Sequence, residues 1–236
     1  MHIRAILFDL DNTLTHRDHS IRAYSRQLLQ HYQQAWAEPP SLAQLETLIR
    51  RIDNGGYPDL AQLTHPSIAA SVGYALQQQL SWQQCPSLEE LTAFWFSQFA
   101  RCAVLMPDAK IVLAALKAQG YRLGVISNGG HESRLHLIDA LGLTDYFELI
   151  HSSGLLGVKK PQAEIFLQTA QALALQPSEC LFVGDHPIND MQGAQQAGMQ
   201  ALWLAGFHAL PEQIQVATIT QLRQILEFVP QPAICI

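Results

Sequence analysis

The sequence has few charged residues and few cysteines, and it does not open with a long apolar segment. Charged residues make up 14% of the 236 residues and hydrophobic residues 48%, so the chain can bury a large core and is not globally disordered. The four cysteines are far apart and form no C-x-x-C pair, which argues against a zinc site. The net charge of −6 gives no attraction to nucleic acid or to an anionic membrane, so we expect neither as a partner.

The first apolar run is short and ends at a carboxylate. It extends from Ala5 to Phe8 and stops at Asp9, which predicts a short buried strand. The run is too short for a signal peptide or a membrane span. Dispersed cysteines are also typical of proteins with reduced thiols. We therefore expect a cytoplasmic protein.

Residues 18–104 show the spacing of helices and contain no convincing strand. Apolar residues recur there every three or four positions, as on one face of a helix. Two of the breaks between these runs are marked by Pro39-Pro40 and by Asn54-Gly55-Gly56. The spacing predicts four helices, near residues 21–35, 42–52, 67–80 and 87–101.

From residue 107 onward, short apolar runs alternate with helical segments. The predicted strands are 121–126, 147–150, 180–183 and 201–204. The predicted helices are 108–119, a segment ending at Gly142, 162–175, 189–197 and 218–228. This alternation is typical of a parallel sheet covered on both faces. We predict an α/β fold, in which residues 1–17 and 105–236 form a Rossmann-like parallel sheet core with helices on both faces, and residues 18–104 form an inserted all-helical domain.

Polar residues stand at the ends of three predicted strands. They are Asp9-Leu10-Asp11, then Ser127-Asn128-Gly129, then Gly184-Asp185 with Asp190 shortly after. Alone, each segment is typical of an ordinary loop or turn. Because parallel sheets bind ligands outside the carboxyl ends of their strands, we expect the three segments to converge. Lys159-Lys160, just before Pro161, adds positive charge.

The converging carboxylates predict a Mg²⁺ site and phosphate chemistry. Several carboxylates in one place repel one another, and Mg²⁺ binds one or two of them together with phosphate oxygens. Asp9 can attack phosphorus as a nucleophile, and Asp11 can exchange a proton with the leaving oxygen.

The other polar groups suit a phosphoryl group. The Ser127 hydroxyl and the backbone N–H groups of Asn128 and Gly129 can bind its oxygens. Lys160 can neutralise the charge that develops in the transition state.

These segments resemble the four motifs of the haloacid dehalogenase-like hydrolase superfamily. Phe8-Asp9-Leu10-Asp11-Asn12-Thr13-Leu14 resembles the first motif and Ile126-Ser127-Asn128-Gly129 the second. Lys160-Pro161 with Glu164-Ile165-Phe166 resembles the third, and Val183-Gly184-Asp185 with Asp190 the fourth. The resemblance covers residues 1–15 and 107–236. The inserted helical domain is similar in position to the smaller, first-type cap of the phosphatase branch.

The resemblance implies a role for each residue. It makes Asp9 nucleophile and metal ligand, and Asp11 the general acid and base with its backbone carbonyl on the metal. It makes Asp185 the second carboxylate ligand, and Asp190 a further ligand or an orienting group. Thr13, Ser127, Asn128, Gly129 and Lys160 would bind the phosphoryl group. The chain departs from the pattern at Pro161-Gln162-Ala163, where relatives commonly continue Pro-Asp-Pro.

Three other functions share the fold. A haloacid dehalogenase keeps the first aspartate but lacks the second, so Asp11 favours a phosphatase acting on a small phosphorylated metabolite such as a nucleotide, flavin mononucleotide or a sugar phosphate. A phosphomutase would keep both aspartates. A catalytically silent regulatory protein would have no need for the full set of site residues.

Overall fold

The chain divides into two compact units in a computed structural model that describes residues 2–59, 61 and 63–229. One unit consists of residues 1–15 and 105–236, and the other of residues 16–104. The first boundary therefore follows Thr15, two residues before the boundary expected from the sequence. The role of the second unit as a cap stays a prediction.

Residues 16–104 form a helical unit with no β-strand among its described residues. The four helices are α1 (Arg17–His31), α2 (Leu42–Asp53), α3 (Ile68–Gln79) and α4 (Leu88–Gln98). Ser41 and Ser87 begin α2 and α4 with capping boxes, in which each serine hydroxyl accepts from a backbone N–H that the helix leaves unpaired. Four helices were predicted in this region, and the structure confirms them.

A buried ion pair joins the first two helices of this unit. Arg17 Nη2 donates to Asp53 Oδ1 at 2.6 Å, and Arg17 Nε lies 3.1 Å from Asp53 Oδ2. Asp53 is fully buried, and the Arg17 guanidinium lies 4.4 Å from the centre of the Phe99 ring. A second Asp53 contact, to the N–H of Gly56 at 3.1 Å, holds the turn that ends α2.

The other unit contains one sheet of six parallel strands. The strands are β1 (Ala5–Phe8), β2 (Arg122–Ser127), β3 (Leu149–Ser152), β4 (Cys180–Gly184), β5 (Gln200–Leu204) and β6 (Ala217–Ile219). Their order is β3-β2-β1-β4-β5-β6 and every neighbouring pair is parallel. The predicted α/β fold with a Rossmann-like core is confirmed.

The middle of the sheet is buried on both faces. All four residues of β1 and all five of β4 are buried, as expected for short apolar strands covered by helices on each side. On one face, Phe166 packs edge-on against Phe182 of β4, with ring centres 5.0 Å apart. The strand ends are thereby anchored in a buried core.

The helices of this unit follow the predicted alternation, apart from one short helix after β3 that was not predicted and from differences near the C-terminus. They are α5 (Ala109–Ala118), α6 (His131–Ala140), α7 (Ser153–Leu156), α8 (Ala163–Ala172), α9 (Gly193–Gln196) and α10 (Ile225–Phe228). A π-helical turn, Pro187–Gln192, precedes α9. The helix predicted over 218–228 is wrong in its first part, because Thr218 and Ile219, which favour strands, lie in β6. Across the described residues, none of the helices has the length and hydrophobicity needed to cross a membrane.

Candidate active site

Three adjacent strands bring polar residues to one edge of the sheet. Asp9 directly follows β1, Ser127 is the last residue of β2, and Asp185 directly follows β4. The Asp9 N–H donates to the Val183 carbonyl at 2.8 Å and so continues the ladder between β1 and β4. Asp9, Ser127 and Asp185 are all buried.

Lys160 is a fully buried cation shared by two carboxylates. Its Nζ donates to Asp9 Oδ1 at 2.5 Å and to Asp190 Oδ1 at 2.6 Å. The neighbouring Lys159 is exposed, so Lys160 is the lysine that points into the site. The two carboxylates raise the pKa of Lys160 even though burial, the largest single effect, opposes them.

The side chain of Asn128 holds the segment that carries Lys160. Its Nδ2 donates to the Lys160 carbonyl at 3.1 Å, and its Oδ1 accepts from the Lys160 N–H at 2.9 Å. This pair of bonds ties the end of β2 to the loop before α8. The Asn128 side chain therefore serves to place Lys160.

Asp190 lies close against the end of β4, and both of its oxygens accept hydrogen bonds. Oδ1 accepts from Lys160, and Oδ2 accepts from the His186 N–H at 2.9 Å. A Cβ at position 184 would clash with the Asp190 carboxylate, so Gly184 permits the close approach.

Three buried carboxylates form a cluster suited to a divalent cation. Each of Asp9, Asp185 and Asp190 offers an oxygen, and these oxygens lie within 4.8 Å of one another. Burial raises the pKa of Asp9 well above its usual range; Lys160 opposes this shift, and the neighbouring carboxylates add to it. One lysine leaves the cluster with excess negative charge. In the described part of the chain, Asp9 Oδ2 is buried without a hydrogen-bond partner, and an oxygen in that position fits a divalent cation.

Asp185 is held from the side of β5. Its backbone carbonyl accepts from Trp203 Nε1 at 2.6 Å, and its Oδ2 lies 3.4 Å from His208 Nε2. Burial is the main cause that raises the pKa of Asp185 to about 6. The contact with Asp185 in turn raises the pKa of His208.

Asp11 is paired with an arginine that the sequence did not single out. Arg134 Nη1 donates to Asp11 Oδ2 at 2.9 Å, and Arg134 Nη2 donates to the Asn128 carbonyl at 2.7 Å. Thr15 Oγ1 lies 3.5 Å from Asp11 Oδ1. The second aspartate therefore has a defined orientation beside the Ser127-Asn128-Gly129 segment.

The remaining residues predicted to bind phosphate differ in what they offer. Ser127 is buried, and its hydroxyl makes a long contact of 3.4 Å to the Asn128 carbonyl. The N–H of Gly129 donates to Ser153 Oγ at 2.9 Å, so in this conformation it is engaged within the protein. Thr13 is buried, and its hydroxyl has no hydrogen-bond partner among the residues the structure describes.

Three residues near the site were missed or set aside at the sequence level. The sequence does contain a signal for Arg134, because the helix dipole disfavours a cation in the first turn of a helix and such a residue is therefore unusual there. It contains no signal for His208, which lies in the loop after β5. His186, which directly follows Asp185, is the third of these residues. Its Nδ1 accepts from the N–H groups of Ile188 and Asn189, and burial lowers its pKa to about 4, so the ring is neutral and structural at pH 7.

The family model of the haloacid dehalogenase-like (HAD-like) hydrolases matches residues 3–198 of this chain. The chain belongs to this family. The resemblance seen in the four motifs is thus confirmed. The solved structure of the HAD-hydrolase YfnB from Bacillus subtilis, bound to magnesium, aligns with a TM-score of 0.75 over 97% of this chain and 99% of that one. At 20% identity, this likeness shows the shared fold.

Named relatives of this HAD-like hydrolase include phosphatases. A phosphoserine phosphatase from Thermus thermophilus is 30% identical over 72% of this chain and 67% of its own length. A glyceraldehyde 3-phosphate phosphatase from Pyrococcus furiosus is 34% identical over 52% of this chain, and the match spans about half of that relative, 53%. Dehalogenases also occur among the solved structures that share the fold.

Proposed function

We propose that this HAD-like hydrolase is a Mg²⁺-dependent phosphatase that hydrolyses a small phosphorylated metabolite through an aspartyl-phosphate at Asp9. The observation that carries the proposal is the setting of Asp9. This buried carboxylate has one oxygen on Lys160 and a second oxygen without a partner in the described chain, beside Asp185. The phosphatases among the relatives support the reaction class.

The first step transfers the phosphoryl group to Asp9. A carboxylate oxygen of Asp9 forms a bond to phosphorus while the ester P–O bond breaks, and Asp11 gives a proton to the departing oxygen. Lys160 lies within reach of the group that forms on Asp9 and offsets its charge. The products of this step are the free alcohol and the aspartyl-phosphate.

The second step hydrolyses the aspartyl-phosphate and regenerates the Asp9 carboxylate. Water attacks phosphorus and gives a proton to the Asp11 carboxylate, while the bond between phosphorus and Asp9 breaks and inorganic phosphate leaves. Asp9 and the proton on Asp11 are thereby restored for the next turnover.

Asp9 and Asp185 are the side chains we assign to Mg²⁺, together with the Asp11 backbone carbonyl. When bound, the ion supplies positive charge that offsets the phosphoryl oxygens and keeps Asp9 ionised. We assign Asp190 to orientation, because its two oxygens hold Lys160 and the His186 N–H.

Asp11 separates this proposal from a dehalogenase. Both reactions need Asp9, but only proton exchange with an ester oxygen needs a second aspartate. Asp11 is buried and paired with Arg134. Burying this carboxylate costs desolvation energy, and a dehalogenase would gain nothing from it.

The natural partner is a small phosphate ester, with neither nucleic acid nor a membrane. A helical cap at residues 16–104 would select among such esters. Cys85, Cys102 and Cys180 are free thiols, which suits the cytoplasmic location that we propose.

The test is hydrolysis of 4-nitrophenyl phosphate and of a panel of phosphorylated metabolites with Mg²⁺. We expect turnover by the natural protein, and loss of it with EDTA or with Asp9→Asn. Asp139→Asn, an exposed aspartate on α6, is the matched control and should retain activity. Activity that survives Asp9→Asn or EDTA would overturn the mechanism. Absence of hydrolysis across the whole panel would favour a mutase or a silent protein.

A further inference from the structure

Arg134 forms a second cationic centre, separate from Lys160. Lys160 is occupied by Asp9 and Asp190, while Arg134 contacts Asp11 and the carbonyl of Asn128. The two side chains of the Arg134–Asp11 pair are only 12% and 7% exposed. A pair this buried is screened little by water and salt, so it orients its members more firmly than a surface pair does.

Arg134 stands at a helix position that is unfavourable for a cation, next to a glycine that leaves room for its side chain. It is the fourth residue of α6, where the positive end of the helix dipole disfavours a cation. Its guanidinium also lies against Gly129, where any Cβ would clash with it. Gly129 has a φ of +133°, which other residues rarely adopt. The local backbone therefore gives space to a cation that the helix dipole disfavours.

We propose that Arg134 is a positioning residue that orients Asp11 for proton transfer, an inference that rests on the proposed phosphatase reaction. The Asp11 carboxylate must face the ester oxygen in the first step and water in the second. Its side chain has two rotatable bonds, and the contact from Arg134 Nη1 to Oδ2 restrains both. The contact from Nη2 to Asn128 fixes the guanidinium to the segment beside the phosphoryl group.

This role predicts a loss that depends on the leaving group. A leaving phenol that is a weak acid needs a proton as it departs, whereas 2,4-dinitrophenol leaves readily as an anion. Loss of Arg134 should therefore slow phenyl phosphate hydrolysis much more than 2,4-dinitrophenyl phosphate hydrolysis. Attack by Asp9 and binding by Lys160 do not involve Arg134, so binding of inorganic phosphate should change little.

The experiment compares kcat/KM for the two aryl phosphates in natural protein, Arg134→Gln, Arg134→Lys and His136→Gln. For Arg134→Gln we expect a loss of about 100-fold on phenyl phosphate and less than about 5-fold on 2,4-dinitrophenyl phosphate, since general acid catalysis contributes factors of this size. Arg134→Lys keeps the charge but loses the fork of two donors, so an intermediate loss is expected. His136 is exposed on the same helix, and His136→Gln should match the natural protein.

A double-mutant cycle then tests whether Arg134 acts through Asp11. In an Asp11→Asn background, Arg134→Gln should cause no further loss on phenyl phosphate. An equal loss on both esters, or an additive loss in the double variant, would overturn the inference while leaving the phosphatase reaction in place. If Arg134→Gln does not fold, Arg134→Lys takes its place in the double-mutant cycle, and the same two outcomes apply. A natural protein that hydrolyses neither ester would instead overturn the proposed function, and this inference with it.

Discussion

Replacing Lys160 by methionine removes the only side-chain cation that contacts Asp9 and Asp190 among the described residues. Methionine has a similar length and no charge, so the packing changes little while the electrostatics change greatly. Asp9 and Asp190 are then buried without their lysine in metal-free protein, and the buried Asp185 carboxylate lies close beside them. The folded state must lose stability as a result.

The size of the loss follows from the burial. Lys160 and Asp190 have fully buried side chains, and that of Asp9 is 3% exposed, so water does not screen the orphaned charges. Removing one partner from a buried ion pair costs about 3–5 kcal/mol. We expect a loss of about 4 kcal/mol, a large part of the 5–15 kcal/mol that is typical of a folded domain.

Urea unfolding in EDTA, followed by circular dichroism, measures this loss. The Lys160→Met midpoint should fall by about 1–2 M urea. Lys159→Met is the matched control, because Lys159 is exposed and its replacement should cost less than about 0.5 kcal/mol. Adding Asp190→Asn to Lys160→Met should recover part of the stability, since one buried charge is then removed. Equal midpoints for Lys160→Met and Lys159→Met would refute the reasoning.

Three further predictions concern other parts of the chain. Arg17→Met should destabilise the helical unit by about 3 kcal/mol in urea unfolding, because it orphans buried Asp53; an unchanged midpoint would contradict this. His208→Gln should weaken Mg²⁺ binding about 10-fold by calorimetry, since His208 orients Asp185, and equal affinity would count against that role. Gly129→Ala should lower kcat on phenyl phosphate, because the new methyl group displaces Arg134. Gly157→Ala, also at positive φ but with open space around it, is its control.

The strand ends could be predicted from the sequence because their signals are local. A short apolar run followed by a carboxylate marks the end of a buried strand, as at Phe8–Asp9 and Gly184–Asp185. The order of these segments then places them at one edge of a parallel sheet. The α/β fold and its core follow from the same alternation.

The partners of these residues could not be predicted, since they depend on distant contacts. Arg134 meets Asp11 across 123 residues, and Lys160 meets Asp9 across 151. Asn128 was predicted to bind phosphate through its backbone N–H, and nothing in the sequence indicated that its side chain holds the Lys160 backbone. β6 was mistaken for helix because a strand of three residues is too short to show a period of two.

Chemical trapping of the intermediate tests the central claim most directly. Natural protein turning over a phosphate ester with Mg²⁺ is quenched and reduced with borohydride, which converts an acyl phosphate to an alcohol, and its peptides are analysed by mass spectrometry. The account predicts reduction at Asp9 alone, and none without substrate or in Asp9→Asn. Turnover with no reduced residue, or with reduction at a residue other than Asp9, would contradict it.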